Sequence, residues 1–142
     1  MLICNGYKDR AYIRLALFAQ DMNIETLLVI EKLSELELII EESERLQIQA
    51  TLGVRIRLNT IAAGKWQNSG GKEAKFGLSA AELVNFVAVL KRESLSAHLK
   101  VLHFHMGSQI SNVSDFRLGL LEALSVYRAL YEQGIKLSLI HI

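Results

Sequence analysis

The chain has 142 residues, 51% of them hydrophobic, and its 16 Lys and Arg nearly cancel its 15 Asp and Glu. That is the size of one ordinary domain with enough apolar residues for a core; the balanced charge offers no basic footprint for nucleic acid or an anionic membrane surface. The single cysteine, Cys4, excludes an internal disulfide framework and suits a reducing, cytoplasmic compartment, while no apolar run approaches the ~20 residues of a membrane span and no secretory signal is visible.

In chain order, "LICN" (2–5) is a short apolar run stopped by the turn-rich "NGYKD" and reads as a first strand. Residues 9–20 place Tyr12, Leu15, Ala16 and Ala19 at helical spacing. "TLLVIE" (26–31) is a second strand. Ser34 and Glu37 have the Ser-x-x-Glu spacing of a capping box, which predicts a helix through about Leu46. "LGVRIRL" (52–58) is a third strand. Residues 59–79 then lack periodicity, with four glycines and the only tryptophan; a stretch of that length outside any element is a functional lid or a surface excursion. Ser79 and Glu82 form a second capping box, followed by the stripe Leu83, Phe86, Val87 and Leu90. "KVLHFHMG" (100–107) is a fourth strand. A long helix over 115–132 carries Phe116, Leu120, Leu124, Tyr127 and Leu130 on one side, and Gly134 stops it. "KLSLIHI" (136–142) closes the series as a fifth strand.

Strands alternating with helices predict an α/β fold with a parallel sheet. A doubly wound sheet and part of a (β/α)8 barrel both satisfy the order. A whole barrel takes roughly 200–250 residues or more, so this chain holds about half of one. No G-x-G-x-x-G follows the first strand, which weakens a dinucleotide site.

Side chains alternate faces along a strand. Arg55 and Arg57 therefore share one face and Val54, Ile56 and Leu58 the other; His103 and His105 share a face opposite Leu102, Phe104 and Met106. Parallel strands normally bury apolar side chains on both faces. The apolar sets are expected against the helices, and the polar sets against something that repays their desolvation. An anionic ligand at the C-terminal ends of the strands would do so, where barrel enzymes place their chemistry. Gly107 and Ser108, at a strand-to-helix corner, suit a phosphate through backbone N–H groups and a hydroxyl. An ion-paired structural layer of Arg55 and Arg57, with hydrogen-bonded core histidines, accounts for the same residues on physics alone.

Five segments, "ICNGYKDRAYIRLAL", "VIEKLSEL", "LGVRIRL", "GKWQNSGGKEAKFGLSAAEL" and "LHFHMGSQI", together resemble the biosynthetic arginine decarboxylases. These are pyridoxal-phosphate-dependent decarboxylases of the alanine-racemase-like barrel type, and the resemblance runs from residue 2 to about 137. Ornithine and diaminopimelate decarboxylases share the shorter "KFG" and "H.GS" elements. The resemblance implies a partial TIM barrel with pyridoxal 5'-phosphate at its mouth. It also implies a magnesium requirement, a homo-oligomer, and conversion of L-arginine to agmatine and carbon dioxide for polyamine (putrescine and spermidine) synthesis. Residue by residue, it implies that His105 stacks on the pyridine ring, that Gly107 and Ser108 hold the phosphate, and that Arg55 lies near the cofactor. Lys75 and His103 are neighbours with less defined roles.

The family's Schiff-base lysine and a C-terminal β-rich domain are expected outside residues 1–142, so no catalytic residue is assigned within the chain. Taken alone it is expected to be inactive and, with unclosed edge strands, to self-associate. Its final "SLIHI" departs from the family's strand and is expected to be non-native. Two other readings stand beside this one. In the first, His103 and His105 are ligands of a metal-dependent barrel hydrolase, with Glu31 at a neighbouring strand end. In the second, the chain is part of a non-catalytic barrel homologue with a binding or regulatory role.

Overall fold

The computed structural model describes residues 1–59, 76–106 and 113–141, with side chains described through residue 138. Its elements are β1 (Leu2–Cys4), α1 (Arg10–Asp21), β2 (Thr26–Ile30), α2 (Leu33–Leu46), β3 (Leu52–Ile56), α3 (Ala80–Arg92), a 3-10 turn (Ser96–His98), β4 (Leu99–Phe104), α4 (Val113–Glu132) and β5 (Leu139–His141). All four strand pairings are parallel, and the order across the sheet is β1-β2-β3-β4-β5. A doubly wound sheet reverses its order at a switch point; this one never does. Right-handed crossovers then carry every helix to the same face, which is the arrangement of part of a barrel.

The two faces of the sheet differ as the alternation predicts. Leu28, Ile30, Val54, Ile56, Leu102 and Phe104 join the main core beneath the helices, with Ile13, Leu17, Leu36, Ile39, Phe86, Leu90 and Ala123. On the other face Ile3, Leu27, Val29 and Val101 form a separate small cluster. Gly53 belongs to that concave layer, where a Cβ would lie 3.2–3.3 Å from Leu27, Val29 and Val101.

Helix starts and faces partly depart from the sequence pattern. The box at Ser79 and Glu82 forms as expected. The one at Ser34 does not: α2 starts at Leu33, its N-cap is Lys32 without a side-chain bond, and Ser34 falls inside the first turn. Glu35, at the third helical position, instead reaches back to the N–H groups of Glu31 (2.8 Å) and Lys8 (2.9 Å). A buried carboxylate tied to two strand ends outcompetes a hydroxyl that can bond only locally.

In α1, capped by Asp9, the buried residues are Ile13, Ala16 and Leu17, whereas Tyr12 and Leu15 are exposed. This helix carries two apolar stripes, and the sheet takes the one with Ile13 and Leu17. Tyr12 and Leu15 line a shallow hollow with Leu2 and Cys4 beside the outer edge of β1, where a closed barrel would bring another strand and helix.

In α4 the buried residues are Gly119, Ala123 and Leu130, with Phe116 and Leu124 exposed. A Cβ on Gly119 would collide with the sulfur of Met106. The helix approaches the sheet through small residues that a count of large apolar side chains passes over. Gly134 ends α4 as expected, at φ 84°, with Ile135 N–H bonded to the Leu130 carbonyl.

The first two helices are clasped by charge. Glu42 is fully buried and accepts from Arg10 (2.6 Å), Arg14 (2.7 Å) and Arg45 (2.7 Å). Chiefly because of Arg14, and against the cost of burial, its carboxyl titrates near 2 rather than 4.5. A carboxyl whose folded value is depressed stabilises the fold fully above its unfolded value. That contribution is therefore lost as pH falls from about 4.5 toward 2. Denaturant titrations across this window are expected to show a steeper acid loss for the native chain than for Glu42→Gln. In the same assay Phe86→Ala, at a fully buried position, costs about 3–5 kcal/mol.

Candidate functional site

The register of the strands places the polar residues. Val29 pairs with Gly53, Gly53 with Val101, and Arg55 with His103. Two residues beyond the apolar concave row Val29–Gly53–Val101, the same face thus carries Glu31, Arg55 and His103, and two further along β4 comes His105. The concave side changes from apolar to ionisable toward the C-terminal ends of the strands.

Glu31 stands at the centre of this upper row, with its side chain fully buried. Its Oε1 accepts from the Gly6 N–H (2.8 Å) and from Nη1 of Arg55 (3.1 Å). Its Oε2 is buried and has no hydrogen-bond partner among the described residues. Beneath it, the ammonium of Lys8 donates to the carbonyls of Gly6 and Val29 and lies 3.3 Å from Glu35. Lys8 thereby fixes the corner between β1 and α1, and Gly6 is turned so that its N–H meets Glu31. Two cations and two carboxylates balance within one buried cluster, which limits the cost of removing them from water.

A second support comes from the chain just before α3. The N–H of Leu78 bonds the Arg55 carbonyl (2.8 Å) and the N–H of Arg57 bonds the Leu78 carbonyl (2.9 Å). Gly77 makes this approach possible. Its φ is +92°, and a Cβ would sit 3.1 Å from both the Arg55 side chain and its carbonyl oxygen. Phe76 is thereby held with its ring 5.5 Å from the Arg55 guanidinium carbon and 5.2 Å from the Tyr7 ring. Lys32 caps the stack, 3.5 Å over Tyr7.

His105 is half-buried. Burial first, and the positive charge of Arg55 second, hold its pKa below the ordinary 6.5, so the imidazole is uncharged at neutral pH. A flat, neutral, partly accessible ring beside a guanidinium is suited to stack on an aromatic ligand that carries an anionic group.

The other expected residues divide. His103 is buried beside Arg55 on the concave face. Arg57 turns instead to Glu82 (3.0 Å), tying β3 to the cap of α3. The desolvation of Arg55 and Arg57 is therefore repaid inside the protein, by Glu31 and Glu82, and not by a ligand alone. Lys75, Gly107 and Ser108 lie outside the described residues. Glu31 entered the sequence reading only as a metal ligand, and Lys8 and Glu35 were not singled out; among the described residues no group of three or more His, Cys, Asp or Glu side chains is spaced to hold a metal. The signal for Glu31 was its place two residues after Val29 on an apolar strand. Lys8 was masked by the turn-like composition around it.

Comparison with known proteins agrees with this fold. The family model for the pyridoxal-binding domain of pyridoxal-dependent decarboxylases matches residues 1–142. A protein named biosynthetic arginine decarboxylase from Xanthomonas axonopodis pv. citri is 49% identical over 138 residues, covering 97% of this chain and 22% of the relative. Its namesake from Marinobacter nauticus is 46% identical over 142 residues, again covering 22% of the relative. The chain thus spans about a fifth of the length of these relatives. Among solved structures, biosynthetic arginine decarboxylase from Campylobacter jejuni superposes with a TM-score of 0.83 at 35% identity, covering 99% of this chain and 22% of that one. Diaminopimelate decarboxylase from Helicobacter pylori, solved with L-lysine, gives 0.78 at 27% identity, covering 95% and 34%.

Alanine at position 77 is strained by its positive φ and pushes on the backbone that seats Phe76. Gly77→Ala is expected to destabilise by more than about 1 kcal/mol, read as a lowered denaturation midpoint with an unchanged slope.

Proposed function

Because the chain belongs to the pyridoxal-dependent decarboxylases, matching their pyridoxal-binding domain, we propose that the full-length protein binds pyridoxal 5'-phosphate at the C-terminal ends of these strands and converts L-arginine to agmatine and carbon dioxide. The observation that carries the cofactor assignment is the half-buried His105, placed on the concave face with Arg55 by the strand register. The choice of arginine rests on the relatives that share 46–49% of their residues with this chain. The agmatine formed would enter polyamine synthesis.

The residues present fit the group. A flat heteroaromatic ring needs a stacking surface that does not repel it, and the neutral imidazole of His105 supplies one. A ligand carrying a phosphate and a phenolic oxygen needs donors, and Arg55 spends one on Glu31 while no other bond to a described residue uses the rest. When bound, the pyridoxal ring takes up the electron pair left as carbon dioxide departs. The part of this chain is positional: His105 would stack on the ring and hold its plane, which orients the reacting group. In this reading Gly107 and Ser108 would hold the phosphate, Arg55 would lie near the cofactor, and Lys75 and His103 would belong to the surroundings. Magnesium has no assigned ligands; it is expected on family grounds alone, as are a homo-oligomer and a cytoplasmic location. Among the described residues no helix is long and apolar enough to cross a membrane.

The reading is tested on the full-length protein by following agmatine formation from L-arginine, with L-ornithine and diaminopimelate as competing substrates. Arginine is expected to be preferred; cofactor binding without any decarboxylation would overturn the reading. His105→Ala is expected to weaken cofactor binding about tenfold, or ~1.4 kcal/mol, with little loss of folded protein. Since the folded imidazole titrates below 6.5, cofactor affinity should be flat above that pH and fall beneath it, a break that His105→Asn removes.

A further inference from the structure

The buried acid at the end of β2 has no assigned part in the cofactor reading, yet the upper concave row is built around it. We propose that Glu31 is a positioning residue for the cofactor site: it orients Arg55 and cancels its charge, so that a bound cofactor meets an aimed but electrically balanced guanidinium. The inference rests on the proposed cofactor site and extends it to a residue that does not itself touch the ring.

Four observations carry it. The Glu31–Arg55 contact of 3.1 Å joins two adjacent strand ends, and the carboxylate is fully buried. The same oxygen is fixed from a second direction by the Gly6 N–H at 2.8 Å, so it cannot swing with the guanidinium. Its backbone is fixed from a third, through Glu35 and thence Lys8. A flexible arginine held by so constrained an acceptor has its planar fork aimed, and little orientational freedom remains to be lost on binding. The second oxygen of Glu31, buried without a partner among the described residues, shows a carboxylate kept where packing alone would not choose one. Leaving a buried acceptor unmet is costly.

The test uses the full-length protein and a charge cycle of native, Glu31→Gln, Arg55→Gln and the double substitution. Two quantities are read: the dissociation constant of pyridoxal 5'-phosphate by equilibrium dialysis, and the pH at which the visible absorbance of the bound cofactor titrates. Glu31→Gln leaves one positive charge uncancelled and should move that titration to lower pH. Arg55→Gln leaves one negative charge and should move it higher; the double substitution, neutral again, should return it toward the native value. In affinity each single change is expected to cost about tenfold, with the double no worse than Arg55→Gln alone, because interacting residues are non-additive. A purely structural Glu31 would lower thermal stability without opposed shifts in titration. Equal or absent shifts, or losses that multiply in the double, would overturn the assignment. If Glu31→Gln alone does not fold, Arg55→Gln and the double decide it: matching affinities support the coupling, and a further tenfold loss in the double refutes it. A native protein that fails to bind the cofactor at all refutes the functional reading first, and this assignment with it.

Discussion

The contact between Glu31 and Arg55 is the constraint on which the mouth of this half-barrel depends. Each ion loses hydration worth on the order of several kcal/mol when buried, and their mutual attraction alone does not guarantee its return. The protein supplies the remainder from the β1–α1 corner and the start of α2. Gly6 contributes a backbone N–H, Glu35 grips the backbone beneath Glu31, and Lys8 neutralises Glu35 while bridging two carbonyls. The β1–α1 corner, the end of β2, the start of α2 and the end of β3 are therefore one electrostatic unit.

That unit sits on a sheet with a sharp division of labour. Toward the helices the sheet presents Leu28, Ile30, Val54, Ile56, Leu102 and Phe104 to the main core, and α4 meets it through the small residues Gly119 and Ala123. Toward the concave side only a thin apolar layer remains, crowded enough that β3 uses glycine at position 53. Ionisable groups begin directly above it. Burial, and then the positive charge of Arg55, hold the His105 pKa below its ordinary value, while Phe76 flanks the Arg55 guanidinium and Tyr7 packs against Phe76.

Much of this was legible in the residues because strand alternation is a rigid geometric rule. The two-residue period separated Arg55, His103 and His105 from Val54, Leu102 and Phe104, and the structure keeps that separation. The element order also carried through, but composition could not choose between a barrel and a doubly wound sheet; the strand order decided it. Helix faces were less legible. Tyr12 and Leu15 in α1, and Phe116 and Leu124 in α4, satisfy helical spacing as well as the residues that are buried, and only the sheet breaks the tie. The start of α2 was misread because a carboxylate reaching across space to Lys8 and Glu31 left Ser34 no capping role. Long-range ion pairs of this kind leave no local pattern. Glu31 and Lys8, the residues that organise the site, were for that reason the hardest to see.

The unbroken strand sequence has an evolutionary corollary. Successive β/α repeats deliver ionisable side chains to a common rim: the second strand an acid, the third a guanidinium, the fourth two imidazoles. The greasy shell that holds the repeats together lies on the opposite surface of the sheet and shares no atoms with that rim. Selection can therefore change the rim while the scaffold is inherited intact, provided that charge partners such as Glu31 and Arg55 change together, and enzymes with different amino-acid preferences can descend from a single ancestral frame.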